Sequence, residues 1–142
     1  MPLSWVPITG VEPGRDYVVM ATRFGVTSRS RMPRIFSAAQ TLISGFTATP
    51  GLIGYSLRAN ILNNSLWTLS AWESGADLHR FVSGPAHGLV VKQTVKWMES
   101  SRFVTWKSRG SDLPSSWNPV EARMRDEGRD GRSLHRERSS ME

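Results

Sequence analysis

Between Tyr17 and Phe24 the chain reads Tyr-Val-Val-Met-Ala-Thr-Arg-Phe, apolar on both faces at its start. A run of this kind predicts a strand covered on both sides, in the middle of a sheet. Further on, Ile35, Phe36, Ala39, Leu42, Ile43 and Phe46 recur at three- and four-residue spacing. They predict an amphipathic helix of about three turns, with Pro33 in its first turn and its end near Gly45. Pro50-Gly51 marks a turn. Two alternating runs follow: Ile53, Tyr55, Leu57, Ala59 and Ile61 on one strand, and Trp67, Leu69 and Ala71 on the next.

A hairpin of two such strands pairs like with like, because a one-residue slip turns every side chain over. An odd loop centred on Asn63 places Leu57 opposite Leu69 and Ala59 opposite Trp67, with Ser56, Arg58 and Gly54 opposite Ser70, Thr68 and Trp72. This register gives one apolar face for helices and one mixed face, where Gly54 leaves room beside an indole. Ser74-Gly75-Ala76-Asp77 fits a capping box and opens a helix carrying Leu78, Phe81 and Val82. Gly84-Pro85 interrupts it, and a second helical segment is expected to about Met98. Arg102 to Lys107 reads as a last strand.

The order strand–helix–strand–strand–helix–strand predicts an α+β domain. Its architecture is the ferredoxin-like split βαβ sandwich: a four-stranded antiparallel sheet with helices on one face. The other face, expected to carry Tyr17 and Phe103 or their neighbours, plus the Trp72 row, would be bare. A small domain does not leave so large an apolar patch uncovered, so sheets packed as a homodimeric barrel are expected, enclosing a pocket. Along the chain, residues 1–14 form an irregular lead-in, 15–110 the domain, 111–119 a Pro/Ser-rich connection and 120–142 a disordered charged tail.

Composition narrows the chemistry. The 142 residues contain no cysteine, which excludes a disulfide scaffold, a thiolate nucleophile and an iron–sulfur site. No stretch approaches the ~20 apolar residues of a membrane span, and no secretory signal opens the chain, so a cytoplasmic protein is expected. The net charge is +6. The six arginines beyond residue 120 are balanced by six acids, so the excess lies earlier, much of it in Arg23, Arg29, Arg31 and Arg34. That cluster reads as a solvated loop and helix start, or as a site that attracts an anion such as a phosphate or a carboxylate. Nucleic acid is not an expected partner, since no zinc finger, helix-turn-helix or aromatic RNA-binding signature accompanies it.

Three residues stand out as candidate chemistry. His87 follows the Gly-Pro break; its imidazole would act as a base, bind a metal or haem iron, or simply be satisfied by a backbone carbonyl. No acid stands at ligand spacing from it, so no metal centre is expected. Trp72 would hold a flat substrate by stacking, or fill the core or a dimer interface. Arg58, predicted on the same face, is costly to bury alone and must pair with an acid, reach the rim or meet an anionic ligand. Thr22 and Arg23 end the first strand near the same pocket. There is no Gly-rich loop for a dinucleotide after any strand.

The stretch Trp67-Thr-Leu-Ser-Ala-Trp72-Glu73-Ser74, followed by Leu78, Phe81 and His87, resembles the dimeric α/β-barrel superfamily. More narrowly it is similar to antibiotic-biosynthesis-monooxygenase-like domains and DUF3291-type proteins. Arg23-Phe24-Gly25 and the basic segment after it resemble spheroidene monooxygenase. The resemblance implies a monooxygenase-type activity on a hydrophobic or aromatic small molecule. His87, Trp72 and Arg58 would be the catalytic residues, and Thr22, Arg23 and Trp72 would bind substrate. In haem-degrading relatives, the Trp of the third strand and the haem-ligating His correspond to Trp72 and His87, but the first strand offers Thr22 where they have Asn. Quinone-forming relatives use no cofactor and activate an electron-rich phenol that reacts with O₂ directly. The expected cofactor is thus none or haem. The competing expectation is a non-catalytic ligand-binding or assembly dimer of the same fold.

Overall fold

A computed structural model describes residues 5–27, 30, 32–44, 49–60, 62–84, 98–113 and 117–130. In chain order the elements are β1 (Val6–Pro7), β2 (Asp16–Val26), α1 (Met32–Ser44), β3 (Leu52–Asn60), β4 (Ser65–Trp72), α2 (Gly75–Val82), β5 (Met98–Arg109), α3 (Trp117–Glu127) and β6 (Arg129–Asp130). The sheet is antiparallel in the order β1-β3-β4-β2-β5-β6. Its four long strands, β3-β4-β2-β5, have the expected split βαβ arrangement, and the doubly apolar β2 lies between β4 and β5 as its composition predicts. The two-residue β1 and β6 extend the edges.

Side chains alternate across the sheet, and α1 and α2 cover one face. Met32 and Ile35 of α1 pack on Val26 and Leu66. Leu78 and Val82 of α2 pack on Met20, Leu52, Trp72 and Phe103. Ser74 caps α2 as expected: its hydroxyl accepts from the Asp77 amide at 3.2 Å and donates to the Asp77 carboxylate at 2.8 Å. The second helical segment expected after Gly84-Pro85 falls outside the described residues, apart from Met98, which begins β5.

The opposite face is not bare. Tyr17, Val19, Ala21, Ile53, Trp67, Leu69, Ala71 and Val104 form a second core with Val120 and Met124 of α3, and Trp5, Trp106, Leu113 and Trp117 pack around it. The disordered tail expected from residue 120 therefore does not hold for residues 120–130, which lie in α3 and β6. Trp117, Val120 and Met124 recur at three and four residues and form the inward stripe of α3, with Pro119 in the first turn, where its missing N–H costs nothing. Burying Val120 and Met124 fully contributes about 1.5–3 kcal/mol each, enough to offset the ordering of several residues. Trp72, expected on the uncovered face, lies instead beneath α2 together with Phe103. Tyr17 and Val104, the neighbour of Phe103, face away from α1 and α2, and both are buried.

The β3–β4 register also departs from expectation. Arg58 pairs with Trp67, Leu57 with Thr68, Ser56 with Leu69, Gly54 with Ala71 and Ala59 with Leu66. The loop between Asn60 and Ser65 has four residues, not an odd number. Asn64 takes the left-handed conformation at φ 52°, and the Asn60 side chain accepts from the Leu62 amide at 3.1 Å, an Asx-type turn. Matching like with like misled because both faces are buried: Leu57 and Ala59 serve one core, while Trp67, Leu69 and Ala71 serve the other. The indole beside Gly54 is Trp5, whose ring atom Cζ2 would lie 2.4 Å from an added Cβ.

Candidate functional site

The register divides the sequence-predicted residues between the two faces. On the face of α1 and α2, Thr22 pairs with Thr68 of β4 and Phe103 of β5, and Met20 pairs with Ser70. Ser70 in turn lies opposite Tyr55 of β3. Three hydroxyls, Thr22, Thr68 and Ser70, thus sit in the middle of the two central strands. Phe24, Tyr55, Trp72 and Phe103 frame them on the same face. Thr22 is buried, while Thr68, Ser70, Tyr55 and Phe24 stay half-buried. Trp72 is 1% exposed, stacks on Phe81 at 5.1 Å with 25° between planes, and donates from Nε1 to Ser70 Oγ at 2.9 Å. Its indole is therefore fixed in orientation, with one face on α2. The structure brings Thr22 and Trp72 to one face, that of the helix which precedes His87 in the chain. His87 itself lies outside the described residues.

Arg58 and Arg23 are on the other face, so the expectation that Arg58 shares a surface with Trp72 is corrected. The cause is the one-residue change in hairpin register. Arg58 ion-pairs with Glu121 of α3 and lies over two indoles, Trp67 at 5.0 Å and Trp117 at 4.7 Å. Trp67 and Trp117 meet edge to face at 6.2 Å. Of the three outcomes open to a buried Arg58, the pairing with an acid is the one realised. Arg23, opposite Trp67 on β2, also lies over its ring, 5.9 Å from the centroid. Arg34 is exposed on α1, whereas Arg29 and Arg31 lie outside the described residues.

Trp67, Trp117 and Glu121 were not expected as site residues, although Trp117 was expected to pin the start of the tail onto the body. The three-and-four spacing of Trp117, Val120 and Met124 was a readable signal for α3, with Glu121 one turn after Trp117. Nothing local signals that Trp67 and Arg58 meet, since their pairing depends on the loop. Among the described residues no three His, Asp or Glu side chains gather as a metal centre would require, and no helix is long and apolar enough to cross a membrane.

No protein-family model and no curated protein sequence matches the chain. Solved structures match by fold. A "putative monooxygenase" from Lactobacillus acidophilus superposes with a TM-score of 0.60 at 16% identity, over 76% of this chain and 52% of that one, so the present chain spans about half its length. A "putative antibiotic biosynthesis monooxygenase" from Nitrosomonas europaea gives 0.58 at 13% identity, over 72% and 95% of the two chains. SnoaB, a cofactor-independent oxygenase from Streptomyces nogalater, gives 0.55 at 20% identity, over 70% and 99%. The chain is thus similar in its α+β fold to structures described as putative antibiotic biosynthesis monooxygenases. At these identities the likeness is one of fold, and function has to be argued from the site.

Proposed function

We propose that this protein is a monooxygenase-type enzyme acting on a planar aromatic small molecule, bound beside α2 on the sheet face that carries Thr22, Thr68 and Ser70. The observation that carries the reading is the row of hydroxyls, Thr22, Thr68 and Ser70, within an aromatic frame on a half-open face. A flat, phenol-bearing ligand matches it: apolar rings against Phe24, Tyr55 and Trp72, hydroxyls to the oxygen substituents. The likeness of fold to a cofactor-independent oxygenase supports the same reading. In the reaction so assigned, an electron-rich phenol gives up a proton to a base, the role assigned to His87. The phenolate ring then reacts with O₂. One oxygen atom becomes a quinone carbonyl and the other leaves as water, the substrate supplying the electrons. Thr22 and Ser70 orient the phenolate, and the fixed Trp72 sets the plane of the ring. The homodimer belongs to this reading through the likeness of fold alone, because α3 already supplies the cover a second sheet was expected to give.

The test is oxygen uptake and quinone absorbance with electron-rich naphthols and hydroxyanthracenes. Turnover above the uncatalysed rate is expected, with His87→Ala and Thr22→Val lowering kcat in proteins whose circular dichroism is unchanged. Saturable binding of these phenols without O₂ uptake favours the non-catalytic ligand-binding protein. A Soret shift on haem titration that His87→Ala abolishes replaces the cofactor-free route with a haem-dependent one.

A further inference from the structure

One feature of the α3 face is left over from both the core and the oxygenase reading. Arg58 pairs with Trp67, Trp67 with Arg23, and Arg23 with Arg102, so three arginines and an indole form one line across four strands. Directly opposed like charges destabilise a sheet, yet Arg23 and Arg102 face each other. Arg102 is drawn toward the Gly128 carbonyl, to which its Nη2 donates at 2.7 Å. Among the described residues Glu121 is the one carboxylate that pairs with this row, and it pairs with Arg58 alone. No ion pair among the described residues involves Arg23. Two buried donors in the row, Arg58 Nε and Trp67 Nε1, have no hydrogen-bond partner. Leaving such a donor unmade is costly, and here two stand at neighbouring positions beside two indoles.

We infer that the line Arg58–Trp67–Arg23 is a binding site for an aromatic carboxylate, and that Glu121 holds the place of the ligand's carboxylate when the site is empty. The guanidiniums of Arg58 and Arg23 lie over Trp67, so an incoming carboxylate meets positive charge from both while its ring lies against the half-buried Trp117. The unpartnered Arg58 Nε and Trp67 Nε1 supply donors that Glu121 leaves unused. Binding releases Glu121, the ion pair that ties the start of α3 to β3, so occupancy loosens that end of α3. This site lies across the sheet from the proposed oxygenase face and does not depend on that assignment.

Calorimetric titration with 2-naphthoate, and with its uncharged amide 2-naphthamide, tests the site without any turnover. The carboxylate is expected to bind about tenfold more tightly than the amide, the worth of one charge-assisted hydrogen bond. Arg23→Gln should abolish that preference, and Glu121→Gln, a mild change that keeps the helix, should strengthen naphthoate binding several-fold by removing the internal competitor. Equal binding of acid and amide, absence of binding up to millimolar concentration, or an unchanged or weakened affinity in Glu121→Gln each overturns the proposal. So does a preference for the acid that survives Arg23→Gln. Loss of phenol turnover with naphthoate binding intact refutes the oxygenase reading alone.

Discussion

Trp72 shows how a residue singled out by type can carry two duties. Its burial and its stacking on Phe81 make it a core side chain, while its Nε1–Ser70 bond ties it to the hydroxyl row. Trp72→Ala is therefore expected to lose about 3–5 kcal/mol of stability by urea unfolding. Trp72→Phe should keep most of the stability while lowering phenol affinity. Ser74 was legible in the sequence because a cap acts over three residues. Ser74→Ala should cost about 1 kcal/mol, read from the same unfolding curves. Gly54 was legible only in part: its need for space was clear, but the occupant, Trp5, comes from 49 positions earlier. Gly54→Ala forces the Trp5 ring off the sheet, and a loss of about 1–3 kcal/mol with a red-shifted tryptophan emission is expected.

Among elements, helices were easier to read than strand pairing. The 3.6 period of α1 and the capped start of α2 belong to contiguous residues, and both appear where expected. The β3–β4 register depends on a four-residue loop and on which core each face serves. Alternation cannot settle it when Leu57 and Trp67 are both buried, on opposite faces. The helix α3 carries a short stripe, Trp117, Val120 and Met124, set in a charged background that reads as solvated. Its stability comes from the core it joins, since a helix of 11 residues is marginal alone. Val120→Asp puts an unpaired carboxylate into that core and should unfold α3. The expected signs are loss of helical circular dichroism and rapid proteolysis after residue 113, with the β-sheet signal retained.

For the whole molecule, the consequence is a three-layer arrangement: α1 and α2, the sheet, then α3 with Trp5. The sheet face that was expected to call for a partner is covered from within. Removing residues 114–142 should expose Val19, Trp67, Leu69 and Val104, and light scattering should then show self-association beyond that of the intact chain at the same concentration. An intact chain that is already dimeric must use a surface other than this face. Local spacing along the chain was enough to decide α1, the start of α2, the four long strands and hence the split βαβ topology, though not α3, because the periods of 3.6 and 2 and the cap at Ser74 act between near neighbours. Which side chains share a face was decided by tertiary packing alone. A single-residue change in the β3–β4 register exchanges the two faces, parting Arg58 from Trp72 and joining it to Trp67, and only the burial of both faces together selects the pairing.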